Sequence, residues 1–508
     1  MIPSATSESP PTLGPPDALG QQAASGLLWM TTQTIFTKAL VVVSQIILAW
    51  KLQEKDFALV ALAFAAAAFP SLIQQIGVRE VLIQRHREFE ALANPATWLS
   101  LTIGLLTALA IAVAGPIAAQ IYDEPKLIGL VLVLALTAPF TTLLQIPMVA
   151  LQIQMRHRTV AMSGLVAAVA NPLLSMVFAY AGFGAYSFVL PVLITTILRV
   201  ILLWSAAKVG VRLPLRIALW PQIVGGGVFI FVAWAFGQII GQGDYLTIGW
   251  MYEDKRILGI YYFAFNLSLQ TLVLLGPNLD GVLLPTLSKL QNQPDRQREV
   301  FLLISRAIAF FAFPLCFLQA ALAGPIIRIF FPDKWIPAIP VLAILSVGMS
   351  FRTAGWVAHS LFPAQGRYRM FALVHVWGAI VFMILVFVAA KVGKHYGGGA
   401  VAVAIAVSIY FALEGPAKVL LAMRPMNGTW RDAVRIFVPP MILSGVAISL
   451  AYFLGRVLPE LPFKDFMQLG LVTVFGGGIF LLAAKQLMPK MWSSIWDRAV
   501  ALLRVRPT

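Results

Sequence analysis

Apolar stretches long enough to cross a lipid bilayer fill this chain of 508 residues almost from end to end. We count roughly 14 of them, and a helix rising about 1.5 Å per residue needs about 20 residues to cross a hydrocarbon core of about 30 Å. The connectors between them are mostly shorter than about 18 residues, so little mass lies outside the bilayer. The sequence therefore predicts an all-α polytopic membrane protein.

The amino-acid composition agrees with a membrane-embedded chain. Hydrophobic residues make up 59% and charged residues 11% of the sequence, which lies outside the range of soluble globular domains. The net charge of +16 comes from Lys and Arg in the loops between spans, where they set orientation rather than bind nucleic acid. The single cysteine, Cys316, lies within an apolar span, so neither a disulfide within the chain nor a thiolate metal cluster is expected.

The spans and their orientation follow from hydropathy and loop charge. The first 25 residues carry no Lys or Arg and read as a disordered tail, and the apolar segment after them is a permanent span rather than a signal peptide. Alternate loops carry about 22 basic residues on one side and about 11 on the other, which predicts that both termini are cytoplasmic. The predicted spans are 26–50, 57–79, 95–119, 126–150, 159–181, 185–207, 222–246, 258–288, 300–323, 337–360, 370–391, 397–422, 434–457 and 466–486.

An internal repeat organises these spans. Residues 47–64 (ILAWKLQEKDFALVALAF) and 247–265 (TIGWMYEDKRILGIYYFAF) share a helix end, a Trp, a charged turn and an apolar restart. They lie about 200 residues apart, or about six spans, so the copies have the same topology. This predicts two six-helix lobes, 26–207 and 222–422, an arrangement suited to alternating access by a transporter. Residues 434–486 then form two additional C-terminal spans, and 487–508 form a cytoplasmic tail.

Four segments carry a family resemblance. They are residues 47–85, 243–268 (GDYLTIGWMYEDKRILGIYYFAFNLS), 279–291 (LDGVLLPTLSKLQ) and 330–348 (FFPDKWIPAIPVLAILSVG). The chain resembles the Wzx-type polysaccharide transporters, which are lipid-linked oligosaccharide flippases of the multidrug/oligosaccharidyl-lipid/polysaccharide (MOP) exporter superfamily. The resemblance implies a MOP/MATE-like fold in the bacterial cytoplasmic (inner) membrane. It also implies transfer of undecaprenyl-pyrophosphate-linked oligosaccharide between leaflets for exopolysaccharide, capsule or O-antigen synthesis, with polymerase and chain-length machinery as partners.

Such a substrate sets requirements for the protein interior. Its head group is anionic at the pyrophosphate and polar in its sugars, so basic residues at membrane depth are candidates, each costing about 2.5–3.5 kcal/mol to insert. Lys38 and Arg352 are the first choices, and Arg306 either joins them or extends its side chain to the membrane interface. Asn266 and Gln270 either line a cavity for sugars or form hydrogen bonds between helices, as do Gln33, Asn278 and His359.

Three acids are candidates for ion coupling or ion pairing. Asp280 follows Pro277, which can interrupt a helix and free backbone carbonyls. Asp244 lies near the end of the seventh span and is either a solvated helix terminus or a coupling residue. Glu414 precedes Lys418 by four residues, the spacing of an ion pair within one helix.

The sequence favours transport over catalysis. It contains no G-x-x-x-x-G-K-[ST] phosphate loop and no H-E-x-x-H or clustered Cys/His pattern, so neither ATP hydrolysis nor a metal site or other cofactor is expected. The longest outer connector has only about a dozen residues, which leaves no room for a catalytic domain. A multidrug exporter, a lipid-II exporter of the same superfamily and a membrane scaffold remain as alternatives, and the energy source stays open.

Overall fold

The described part of the protein is entirely helical. A computed structural model describes residues 36–75, 77–210, 217–223, 228–275, 277–456 and 463–487, and every regular element within them is a helix. This confirms the all-α prediction. The predicted tails, 1–25 and most of 487–508, lie outside the described residues, as do the first ten residues of the predicted first span and Gln33.

The helices are numbered in chain order. They are α1 (36–51), α2 (Glu54–Ala68), α3 (Val78–Gln84), α4 (Phe89–Tyr122), α5 (Lys126–Leu143), α6 (Gln145–Ile153), α7 (His157–Tyr180), α8 (Tyr186–Ala207), α9 (Trp220–Ile223), α10 (Val228–Met251), α11 (Lys255–Ser268), α12 (Gln270–Leu275), α13 (Pro277–Lys289), α14 (Pro294–Ala321), α15 (Ala323–Phe330), α16 (Ala338–Ala354), α17 (Val357–Ala364), α18 (Tyr368–Tyr396), α19 (Gly399–Met423), α20 (Trp430–Arg456), α21 (Lys464–Leu471) and α22 (Gly477–Leu487). Short 3-10 and π turns join several of them.

Ten helical segments in the described ranges are long and apolar enough to cross a membrane. The chain is therefore a multi-pass membrane protein. Residues predicted for the first, second, seventh and eighth spans form α1, α2, α10 and the α11–α13 run, which are not among these ten. The helical run predicted as the eighth span is interrupted at Leu269, since α11 ends at Ser268 and α12 begins at Gln270. The break that Pro277 predicts adjoins residue 276, which lies outside the described residues. The count of 14 spans remains a prediction.

The two copies of the internal repeat pack against each other. Each copy begins its second helix after an acidic turn: Asp56 and Gln53 form a reciprocal capping box at the start of α2, and the Asp254 carboxylate accepts a hydrogen bond from the Arg256 amide at 2.9 Å at the start of α11. Side-chain caps of this kind satisfy amides that have no partner within the helix. The helices then meet so closely that a Cβ at Gly259 would overlap the Glu54 carbonyl.

The helices form two packed groups with an addition at one edge. Helices α2, α4, α5, α7 and α8 contact one another and belong to the first helix group, α1–α8. Helices α10, α11, α14, α16, α18 and α19 do the same in the second helix group, α10–α19. Helices α20 and α22 pack together, and α20 lies against α14. The predicted lobe boundaries at 26–207 and 222–422 stay predictions, since α1 and the 208–227 connector are described only in part.

We name the two ends of the bundle after residues found there. The α1–α2 turn lies at the Trp50 face, and α3 ends beside Arg85 at the opposite, Arg85 face. At the Trp50 face the helix groups are held together by hydrogen bonds. The Trp50 indole donates to the Phe330 carbonyl at 2.9 Å, and the Trp335 indole donates to the Ala49 carbonyl at 3.0 Å. The two bonds join the end of α1 to the last residue of α15 and to the connector that follows it.

An aromatic cluster and a lysine complete this closure. The Trp335 ring stacks on Phe263, with centroids 4.0 Å apart, and meets the Phe57 ring edge-on at 4.8 Å. The Lys334 ammonium donates to the Leu52 carbonyl at 2.6 Å. Burial in this contact lowers the pKa of Lys334 below its usual value. Phe57 and Leu52 belong to the first group, whereas Phe263, Lys334 and Trp335 belong to the second. These contacts therefore close the Trp50 face between the two groups.

Candidate functional site

A cavity of about 390 Å³ with an apolar wall and several charged and polar side chains lies in the half of the second helix group that is nearer the Arg85 face. Helices α10, α16, α17, α18 and α19 contribute most of its wall, and Gln75 reaches it from the first group. The position of Arg352 on α16 gives the depth of the cavity. Arg352 lies 14 residues from Ala338 at the Trp50-face end of that helix, or about 21 Å along it. Its charged and polar lining includes Gln75, Gln238, Arg352, His359, Glu414 and Lys418.

Arg352 is the predicted cation that the structure places in this cavity. Its guanidinium lies 4.7 Å from the centroid of the Phe411 ring, a cation–π contact. Within the described ranges no carboxylate forms an ion pair with it. It lies within electrostatic range of Asp244. Arg352 is therefore a half-buried cation at membrane depth with bonding capacity left for an anion.

Glu414 and Lys418 form the ion pair that their spacing predicts, and the pair also lines the cavity. The Lys418 ammonium lies 3.0 Å from His359 Nε2, so a neutral His359 ring accepts from it. Lys418 is buried, and its ammonium has two partners, Glu414 on α19 and His359 on α17. The prediction of a local pair is confirmed, while the place of Lys418 in the cavity was not foreseen.

His375 is a second cavity residue that sequence reasoning missed. Its Nδ1 lies 2.8 Å from the Phe371 carbonyl one turn earlier in α18, and its ring lies 5.2 Å from that of His359. A histidine inside an otherwise apolar span was the available signal. Trp234 and Gln238 of α10 were missed as well, because nothing local in the sequence shows which face of α10 turns toward α16 and α18.

Asp244 is buried, and its interpretation as a solvated helix terminus is wrong. The residue is only 1% exposed, and its carboxylate accepts hydrogen bonds from the Tyr261 hydroxyl at 2.7 Å and from the Tyr245 amide at 2.9 Å. The reason is that α10 continues to Met251, which is about two turns beyond Asp244 and past the predicted end of the span at residue 246. The acid therefore lies inside the bundle, between α10 and α11.

Lys38 and Arg306 lie outside the Arg352 cavity. Lys38 is half-buried on α1, 12 residues and so about 18 Å from Trp50 along the helix. Arg306 lies on α14, within electrostatic range of Arg435 and Asp432 on α20. Neither side chain lines the Arg352 cavity.

The two side-chain amides predicted to line a cavity donate hydrogen bonds to backbone carbonyls of α11 instead. Asn266 donates to the Tyr262 carbonyl at 2.8 Å, and Gln270 donates to the Asn266 carbonyl at 3.0 Å. Neither lines the Arg352 cavity. Asp280 lies in α13, and its side chain, like that of Asn278, lies outside the described part of the structure.

Comparison with known families shows which family this chain belongs to. A family model described as polysaccharide biosynthesis protein matches residues 47–340, more than half of the chain. The chain belongs to this family. A Wzx protein is among its sequence relatives, in agreement with the resemblance that the four sequence segments carry. The matched region runs from the end of α1 to the start of α16.

Two curated relatives have similar sequences. The lipopolysaccharide biosynthesis protein WzxC of Escherichia coli is 22% identical over 451 residues, covering 87% of this chain and 89% of WzxC. The succinoglycan biosynthesis transport protein ExoT of Rhizobium meliloti is 24% identical over 334 residues, covering 64% of this chain and 66% of ExoT. Polysaccharide biosynthesis is thus the setting that both names share.

A solved structure confirms the fold. The lipid II flippase MurJ in an inward closed conformation superimposes with a TM-score of 0.69 and 15% identity, covering 91% of this chain and all of MurJ. At this identity the likeness shows the fold alone. The predicted MOP fold class is therefore confirmed, and the substrate is a separate question.

Proposed function

We propose that this transporter is a flippase that moves undecaprenyl-pyrophosphate-linked oligosaccharide repeat units from the inner to the outer leaflet of the bacterial cytoplasmic membrane. Its product would serve exopolysaccharide, capsule or O-antigen synthesis. The observation that carries the proposal is the placement of Arg352, a cation without an ion-pair partner among the described residues, in a cavity at membrane depth together with other polar side chains.

The chemistry of the cavity suits a pyrophosphate. The planar guanidinium of Arg352 can donate two parallel hydrogen bonds to a phosphate, and such charge-assisted bonds are about twice as strong as neutral ones. Lys418 supplies a second cation, although Glu414 offsets its charge. Gln75, Gln238 and the indole of Trp234, which also line the cavity, offer donors and acceptors for sugar hydroxyls.

The closed Trp50 face supports transport by alternating access. Assigning the base-poor Trp50 face to the outside makes the Arg352 cavity accessible from the cytoplasmic half, with both termini cytoplasmic. Rocking of the two lobes, 26–207 and 222–422, would open the Trp50 face. The head group drives this change only if it binds the two states unequally, so different cations should contact it in each state. We assign Arg352 to the state in which the Trp50 face is closed, and Lys38 and Arg306 to the state in which it is open.

Ion coupling and partners are part of the same proposal. Asp244, Asp280 and Glu414 are the acids at membrane depth that could couple the cycle to an ion gradient. The transporter carries out no covalent chemistry in this scheme and binds no nucleic acid. The lipid-linked oligosaccharide, the surrounding membrane lipids and the polysaccharide polymerase with its chain-length machinery are its proposed partners.

The test is translocation in proteoliposomes. Vesicles containing the purified transporter would be given fluorescent undecaprenyl-pyrophosphate-oligosaccharide, lipid II or a cationic drug in separate reactions, under proton, sodium or no gradient. The proposal predicts transfer of the undecaprenyl-linked oligosaccharide with little transfer of the other two. Preferred transfer of lipid II or of the drug would assign the transporter to another branch of the superfamily, and no transfer of any substrate would favour a scaffold.

A further inference from the structure

A second concavity, of about 380 Å³, lies between α18 and α19. Several of its side chains are apolar and strongly exposed, with Trp377 65% and Leu413 61% exposed, as for side chains that contact lipid. We call this concavity the α18–α19 groove. The side chains that matter for its shape and chemistry are Leu373, Trp377, Gly378, Tyr410, Leu413 and Ala417.

The groove and the Arg352 cavity meet at the Glu414–Lys418 ion pair. Both residues line both spaces, so the pair forms the boundary between them. Glu414 lies nine residues before Met423 at the Arg85-face end of α19, or about 13 Å along the helix. The junction is therefore within the hydrocarbon region, below the level of bilayer head groups.

An unpartnered hydroxyl faces the groove. Tyr410 is 2% exposed, and within the described ranges its Oη has no hydrogen-bond partner. The groove is open at this point because residue 378 is glycine: a Cβ there would lie 2.8 Å from the Tyr410 Oη. A buried hydroxyl left unpaired costs about 1–3 kcal/mol. A ligand that supplies an acceptor would remove that cost.

We propose that the α18–α19 groove binds the isoprenoid chain of the lipid carrier at the point where its pyrophosphate enters the Arg352 cavity. The chain would lie against Trp377 and Leu413, and the Tyr410 hydroxyl would donate to a phosphate oxygen. Lys418 would then contact the pyrophosphate from the boundary between the two spaces. This inference rests on the proposed function and adds a route of entry to it.

The depth of the junction favours the carrier over a bilayer phospholipid. A phospholipid keeps its anionic head at the interface, whereas the junction at Glu414 and Lys418 lies about 13 Å inside the end of α19. A lipid whose head has been drawn into the Arg352 cavity places the first part of its chain at that depth. The anionic head also matches the cations Arg352 and Lys418, and the chain matches the apolar groove.

Photoaffinity labelling of the full-length transporter tests this directly. The probe is a polyisoprenyl pyrophosphate with a diazirine near the start of its chain, used in proteoliposomes, followed by peptide mapping. We expect adducts on Trp377 and Leu413 that unlabelled undecaprenyl pyrophosphate suppresses and phosphatidylglycerol does not. Leu413→Trp, which fills the groove, should remove these adducts, while Ile405→Trp, at an exposed position two turns away on α19, should not.

A conservative variant tests the proposed hydrogen bond separately from the apolar packing in the groove. Tyr410→Phe keeps the ring and should weaken carrier binding about tenfold, the loss expected for one hydrogen bond to a charged group. Suppression by phosphatidylglycerol as strong as by the carrier, or carrier-sensitive adducts only on α20 and α22, would overturn the groove assignment while leaving the flippase proposal standing. Absence of carrier-sensitive adducts anywhere, with no translocation, would overturn both.

Discussion

The closure of the Trp50 face predicts how a small substitution should shift the conformational equilibrium. Trp335→Phe keeps a ring to stack on Phe263 but removes the indole N–H that donates to the Ala49 carbonyl across the two helix groups at 3.0 Å. Such a bond contributes about 1 kcal/mol net. Because it exists only while the face is closed, its loss should raise the open-to-closed ratio about fivefold.

The shift can be measured by spin-label distances across the face. Labels on cysteines replacing Lys55 and His395, both exposed, report on the two helix groups, and the native Cys316 is buried with 0% exposure. The ratio of the long-distance to the short-distance population should grow about fivefold in Trp335→Phe. Trp430→Phe, at a Trp that is 64% exposed at the start of α20, is the matched control.

A second bond across the face makes the test more demanding. Lys334→Met removes the ammonium that donates to the Leu52 carbonyl. The double variant Lys334→Met/Trp335→Phe should shift the ratio about thirtyfold if the two bonds add to about 2 kcal/mol. An unchanged distance distribution in the double variant would refute the view that these bonds hold the face closed.

Two further predictions concern the packing and the charges around the cavity. Gly348→Val should lower the unfolding free energy by about 1–3 kcal/mol, and the melting temperature with it, because a Cβ at 348 would lie 2.6 Å from the Ser408 Oγ. Gly470→Val is the control, because a Cβ there meets nothing within 4 Å. Thermal unfolding in detergent should show a smaller drop in melting temperature for Gly470→Val than for Gly348→Val. Glu414→Gln should destabilise the protein by about 3–5 kcal/mol, because it leaves the buried Lys418 without its acid partner. The double variant Glu414→Gln/Lys418→Met should recover much of that loss in the same assay, and equal melting temperatures for the two would contradict this.

Much of the fold could be predicted because membrane spans are local. Hydropathy indicates each span by itself, and the repeat at 47–64 and 247–265 predicts two equivalent turns, which the structure shows as capped starts of α2 and α11. The Glu414–Lys418 pair could be predicted for the same reason, since four residues place both side chains on one helix face.

The site was less predictable because it depends on which faces of distant helices converge. Arg352 and His375 belong to helices that become neighbours only through the packing around α19, so no spacing relates them. Asp244 was misjudged because the end of an apolar pattern does not mark the end of α10. In the sequence Lys38 lies near the middle of its predicted span and Arg306 lies nearer the end of its own, and the structure places neither in the Arg352 cavity.

The central claim is that Arg352 binds the pyrophosphate of the carrier, and its most direct test is translocation by Arg352→Gln. Initial rates would be compared in proteoliposomes with wild type and with Arg369→Gln, which neutralises an exposed arginine at the start of α18. The account predicts a loss of about tenfold or more for Arg352→Gln, the value of hydrogen bonds to a charged group, and a rate near wild type for Arg369→Gln. A wild-type rate in Arg352→Gln would contradict it.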